Sequence, residues 1–208
     1  DWSSDVCSSD LNAGSVLIGD INMTLTNGVD KGAFTNNNFY NGASGEVHLD
    51  VNSTNAVAVT VGDITLIANN ISTVDVLTTT NAVEMFKATV RLLNGSGNGD
   101  VTVGDITVVG GDAATAGDVL DNFYNLTDWL DIATTGTKTI GDIDYSGYKA
   151  DSTIDVSGFT GAEHIKAGSG GAAITVNDNK NEVTLGAGAD TVIYKLAEIG
   201  TDGDRKST

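Results

Sequence analysis

Val101–Val108 reads VTVGDITV, and its central phrase occurs four times along the chain. The copies are Ile18–Asn22 (IGDIN), Val61–Thr65 (VGDIT), Val103–Thr107 (VGDIT) and Ile140–Asp144 (IGDID). Their glycines, Gly19, Gly62, Gly104 and Gly141, are 43, 42 and 37 residues apart. Within the phrase, Val101 and Val103, then Ile106 and Val108, each keep the two-residue period of a strand. Gly104-Asp105 moves the second pair by three residues instead of two. Val59, Val61, Ile64 and Leu66 repeat that phase, as do Ile140, Ile143 and Tyr145. One extra residue is what a bulge or a corner between strands requires, and Gly is expected there for its permissive backbone angles. A second phrase, NFYN, stands at Asn38–Asn41 and again at Asn122–Asn125, 84 residues on and so two periods away. Repeats of this length state an architecture before they state a chemistry. We read residues 12–150 as β-strand repeats with a period of about 42, stacked as a solenoid rather than folded as sandwiches too small to stand alone.

The two ends do not share this composition. Asp1–Leu11 (DWSSDVCSSDL) holds the only cysteine, Cys7, and one of two tryptophans, Trp2. With suitable codons, the terminal Asp204–Thr208 (DRKST) becomes the reverse complement of the end of that opening stretch. Both resemble one short-read sequencing adapter, read through at each end of an assembled metagenomic DNA fragment. Residues 1–11 and 204–208 are therefore expected to be adapter-derived and are set aside. Residues 12–203 are then expected to be an internal fragment of a longer gene.

Between those ends the chain has 24 acids, 8 bases, one tryptophan (Trp129), and neither Cys nor Pro. An acidic surface repels phosphates, so a nucleic-acid partner is not expected. No apolar run approaches a membrane helix, and membrane insertion is not expected. Without cysteine there is neither a disulfide scaffold nor a thiolate metal site.

Strands are expected over Val16–Thr26, Glu46–Val51, Ala56–Ala68, Ser72–Leu77 and Asp100–Gly110. Asn81–Leu93 fits an alternating strand or a short helix. Thr115–Leu130 has helical spacing at Leu120, Phe123, Leu126 and Leu130, yet aligns with the strand-like Asn38–Val51 region, so both readings stay open.

From residue 151 the period changes. Val156, Ile165, Ile174, Val183 and Val192 follow one another at nine residues, with Gly161, Gly170, Asn179 and Gly188 four residues before the later ones. Leu185–Ile193 reads LGAGADTVI. It resembles the calcium-binding nonapeptide of repeats-in-toxin (RTX) proteins, G-G-x-G-x-D-x-U-x, with Gly186, Gly188, Asp190 and Val192 matching and Leu185 departing from it. The resemblance implies a parallel β-roll over residues 151–203, with stacked apolar residues inside and Ca²⁺ held between turns by Asp and backbone carbonyls. It points to Gly186, Gly188 and Asp190 as calcium-site residues. The sixth position elsewhere holds Glu163, Ala172 and Asn181, so Asp190 faces Ala172 one full turn away. The expected fold class is all-β, β-strand repeats leading into an RTX-like parallel β-roll or solenoid.

The repeat aspartates Asp20, Asp63, Asp105 and Asp142 have two readings. They could ring calcium sites, or they could accept corner backbone N–H groups as Asp does in turns, which is the preferred reading. His48 and His164 stand in no H-E-x-x-H, and no G-x-S-x-G elbow occurs. No catalytic residue is expected, and the chain is not expected to be an enzyme. A carbohydrate-binding ladder would have to use Tyr40, Tyr124, Trp129 and Tyr145, which are few and scattered.

In style the chain resembles bacterial surface-layer proteins and giant secreted adhesins. That resemblance implies secretion, an extracellular or cell-surface location, contact with neighbouring repeats and self-assembly into a surface lattice. The expected function is a non-catalytic structural or adhesive repeat module, stabilised by calcium. The alternative is a secretion and folding segment of an exported RTX protease or lipase.

Overall fold

The computed structural model describes residues 3–7, 15–27, 43–51, 57–70, 86–94, 99–111, 122–162, 164–177 and 181–195. The first strands are β1 (Ser3–Cys7), β2 (Ser15–Ile18), β3 (Ile21–Asn27), β4 (Ala43–Val51), β5 (Ala58–Val61), β6 (Ile64–Asn70), β7 (Phe86–Asn94), β8 (Val101–Val103) and β9 (Ile106–Gly110). A 3-10 turn (Asn122–Tyr124) and α1 (Leu126–Trp129) lead into β10 (Leu130–Thr134), β11 (Lys138–Ile140) and β12 (Ile143–Tyr148). The last strands are β13 (Ser152–Asp155), β14 (Thr160–Gly161), β15 (His164–Lys166), β16 (Ala172–Val176), β17 (Glu182–Thr184) and β18 (Thr191–Tyr194).

The protein is mostly β, and among the described residues every strand pairing is parallel. Four sheets result, in the orders β1-β4-β7-β10, β14-β11-β8-β5-β2, β17-β15-β12-β9-β6-β3 and β13-β16-β18. From β2 to β12 the chain visits the second, third and first sheets in rotation, so each strand lies beside its counterpart from the next repeat. Parallel neighbours need a long connection, and a repeat of about 42 residues supplies it.

Packing follows from that register. Ile21, Ile64, Ile106, Ile143 and Ile165 are successive partners in one column of the third sheet and are at most 6% exposed. Val59 and Val101, and Val61, Val103 and Ile140, line the second sheet in the same way. Burying each such side chain contributes roughly 1.5–3 kcal/mol, opposed by roughly 1–2 kcal/mol of backbone entropy per ordered residue. The inward columns therefore hold the layers together, while the alternate positions face outward.

Gly104-Asp105 is a corner rather than a bulge. The strands on either side of it, β8 and β9, belong to different sheets, as do β2 and β3, β5 and β6, and β11 and β12. Phe86–Asn94 is strand, so the open reading of Asn81–Leu93 resolves toward alternation from Phe86 onward. Among the described residues of the Thr115–Leu130 candidate, Leu126–Trp129 is helical, after the 3-10 turn. Asn125 caps α1 by accepting the Thr127 N–H at 3.3 Å, and Leu130 then joins β7 as a strand because Leu130 and Ile132 fill the inner face of the first sheet. Ser72–Leu77 and the first NFYN lie outside the described residues.

The repeat length shrinks along the stack. Corner partners are 43, 42 and 37 residues apart at first, then 22, and finally 18 in the nonapeptide region. Ile165 pairs with Val183 and Ile174 with Val192, two nonapeptides apart in each case. The drop from 37 to 22 follows Gly161 and Ala162, both left-handed (φ 87 and 51). A Cβ on Gly161 would overlap the Ile140 carbonyl, while the Ala162 N–H donates to that same oxygen at 2.9 Å. Phe123, Trp129, Tyr145 and Tyr148 are fully buried in the interior. Trp129 Nε1 donates to Tyr145 Oη at 3.3 Å, and that hydroxyl donates to the Phe123 carbonyl at 3.0 Å. The Tyr145 and Tyr148 rings meet edge to face at 5.6 Å. The third sheet runs unbroken through the expected boundary at 150/151.

β1, in the stretch set aside as adapter-derived, lies parallel to β4, with Ser3 opposite Glu46 and Cys7 opposite Asp50. Open strand edges accept extended segments through main-chain hydrogen bonds that ask little of the side chains.

Candidate functional site

The corner after the second sheet gathers the repeat aspartates into a ladder. Asp20 Oδ1 accepts the Asp63 N–H at 3.0 Å, Asp63 Oδ1 accepts that of Asp105 at 2.9 Å, and Asp105 Oδ1 accepts that of Asp142 at 2.9 Å. Each carboxylate thus satisfies a backbone donor that the turn between sheets would otherwise leave unpaired. The same oxygens explain the glycines. A Cβ on Gly62, Gly104 or Gly141 would overlap the carboxylate of Asp20, Asp63 or Asp105. None of these three glycines has a left-handed φ, so the expectation that backbone angles select Gly here is corrected. Room for the neighbouring carboxylate selects it.

Asp142 ends the run of acids. Its Oδ1 accepts the His164 N–H at 2.9 Å, and its Oδ2 lies 2.8 Å from His164 Nδ1. On the other side, His164 Nε2 lies 3.9 Å from a Glu182 carboxylate oxygen. Burial disfavours the charged form of Asp142, but the His164 backbone and ring, then the charges of His164 and Lys166, outweigh it and hold the carboxyl below its ordinary value. Asp144 is lowered in the same manner, with Ser146 and Lys166 overcoming burial. Asp155 is lowered by Ser157 and Lys195.

In the nonapeptide region, Asp190 Oδ1 accepts the Ala172 N–H at 2.8 Å and Oδ2 accepts the Gly186 N–H at 2.8 Å. Gly186 stacks on the Gly168 carbonyl and Gly188 on Gly170, each so closely that a Cβ would overlap main chain. A calcium ion takes six to eight oxygens. Asp190 faces an alanine across the turn, and each of its oxygens accepts one N–H. No group of three or more His, Cys, Asp or Glu is gathered for a metal ion among the described residues.

Several positioning residues carry no repeat signal. Asp100 accepts the Thr137 N–H and Asp151 the Gly171 N–H, both at 2.8 Å. Buried Asn122 exchanges two hydrogen bonds with the Ala88 backbone. Buried Asn94 donates to the carbonyls of Val57 and Gly99. Such side chains show in a sequence only as one more Asn or Asp in a chain rich in both.

Trp129 and Tyr145 lie inside the protein, which removes them from any exposed carbohydrate-binding ladder. Tyr40 lies outside the described residues. At the wide end of the stack, Ile18, Ile21, Met23, Val47, His48 and Leu49 line an open cavity of about 300 Å³. No helix among the described residues is long and apolar enough to cross a membrane. Comparison with protein-family models, curated proteins and solved structures found no match.

Proposed function

We propose that this chain is a non-catalytic structural or adhesive module of a large extracellular, cell-surface bacterial protein, of surface-layer or adhesin type. In this reading its parallel sheets are the faces of one β-solenoid, and neighbouring repeats are its first partners. The observation that supports it most is the aspartate ladder, Asp20 to Asp63 to Asp105 to Asp142, which repeats one corner contact across four layers. A contact repeated in this way serves extension and stiffness, and it places a line of carboxylates along one outer edge. Calcium enters this reading at Asp190, with further oxygens supplied by an adjoining turn. Sequencing outward from Asn12 and Gly203 in the source DNA tests the proposal. A long Cys-free reading frame with more GDI repeats supports it.

The 18-residue pairings of Ile165 with Val183 and Ile174 with Val192 favour a second reading, the secretion and folding segment of an exported RTX enzyme. A catalytic domain in the adjoining frame would establish that reading and overturn the first.

A further inference from the structure

In the third sheet one residue stands just before the inward Ile or Val of each layer: Asp20, Asp63, Asp105, Asp142, His164 and Glu182. Neighbouring strands lie about 4.8 Å apart, so these residues form one row across the layers. Five are acids, and the histidine has an acid in the layer on each side. His164 Nδ1 lies 2.8 Å from Asp142 Oδ2, and Nε2 lies 3.9 Å from Glu182 Oε2. A neutral imidazole has one N–H, so it can donate toward only one of these carboxylates and turns a lone pair on the other. An imidazolium donates toward both, and its charge offsets the like charges that the row sets side by side. Asp105 stands one layer beyond Asp142. Lys166 and Asp144, at the next outward place of β15 and β12, pair with each other at 3.0 Å. Acids therefore outnumber cations about His164 among the described residues.

We propose that His164 is a pH-sensitive clamp, which on protonation joins the Asp142 layer to the Glu182 layer where the corner spacing falls from 37 to 22 residues. Two carboxylates on one ring favour the imidazolium in the folded chain over the unfolded one. A group with a raised folded-state pKa stabilises fully below its unfolded value, about 6.5 for histidine, and ceases to do so as pH rises through the folded value. The clamp therefore closes as pH falls from about 8 to about 6. Its sign is opposite to that of the lowered carboxyls Asp142, Asp144 and Asp155, whose stabilisation is lost at lower pH. The side chains of His164 and Glu182 are 53% and 77% exposed, so water and salt screen the clamp and keep it weak. A weak clamp adjusts the joint between long and short layers without melting the stack.

The test titrates the His164 ring by NMR in the full chain and measures urea unfolding at about pH 8 and about pH 5.5. The His164 midpoint is expected about half a pH unit above that of a free histidine, and Glu182→Gln is expected to lower it. The folding constant of the unaltered chain relative to His164→Gln is expected to rise about threefold between the two pH values, the linked equivalent of that half unit. A His164 that only fills space would cost the same at both. A constant ratio, or a midpoint at or below that of free histidine, would overturn the proposal. So would a midpoint that Glu182→Gln leaves in place, because Asp142 alone would then account for it. Should His164→Gln fail to fold, the midpoint and its response to Glu182→Gln still decide the matter.

Discussion

Asp63 lies against the face of Gly104 that a side chain would occupy, and from there its Oδ1 takes the N–H of Asp105 at 2.9 Å. The Gly-Asp phrase is thus a two-layer device, in which the glycine of one repeat makes room for the aspartate of the repeat before.

Gly104→Ala is expected to push the Asp63 carboxylate from its seat and destabilise the fold by about 1–3 kcal/mol, the usual cost of overpacking. Gly19→Ala is the matched control, since a Cβ there meets nothing within 4 Å. Urea unfolding of both variants checks the pair. Equal losses would show that backbone freedom, not the carboxylate, selects the glycine.

Asp105→Asn keeps an oxygen in place to accept the Asp142 N–H and is expected to leave stability nearly unchanged. Asp105→Ala removes the acceptor and is expected to cost about 0.5–1.5 kcal/mol. Thermal melts with and without added calcium separate the two roles of the corner. A calcium-dependent rise in melting temperature that Asp105→Asn abolishes would make the ladder a cation site.

Tyr145→Phe deletes the hydroxyl that joins Trp129 Nε1 to the Phe123 carbonyl and removes both of those buried hydrogen bonds. A loss of about 1–3 kcal/mol is expected. Trp129 fluorescence in a Trp2→Phe background reports the unfolding transition.

Asp142, Asp144 and Asp155 have carboxyl pKa values lowered from 3.8. A lowered folded-state value means that the unfolded chain binds protons first as pH falls. The stability these groups add is therefore complete above about pH 4 to 5 and is lost as pH drops below 3.8 through the lowered values. Unfolding free energies measured from pH 6 to pH 2 should fall in that window, and less steeply in an Asp142→Asn, Asp155→Asn double variant. An unchanged slope would remove Asp142 and Asp155 as its cause.

The corners were legible because a strand period that skips by one residue at every Gly-Asp can be read without a structure. So were the apolar columns, since Ile64, Ile106 and Ile143 hold the same place in each phrase. The steric role of Gly62, Gly104 and Gly141 was not legible. It depends on the carboxylate of the preceding repeat, distant in sequence and one layer away in space. His164 escaped notice as the next member of the ladder because the spacing drops to 22 residues and the Gly-Asp phrase is absent there. Trp129 gave no periodic signal, and Tyr145, although in phase with the repeat, gave no sign that its hydroxyl would join Trp129 to the Phe123 carbonyl.

The succession of 43, 42, 37, 22 and 18 residues also numbers the layers. In an array of identical repeats, a chain that pairs one repeat out of step loses little, because each layer meets an equivalent neighbour. Here the spacing changes from layer to layer, so a slip by one repeat would ask a connection of one length to span the place of another. The graded lengths thus favour the observed pairing over its one-repeat slip, most strongly where the spacing falls from 37 to 22 residues.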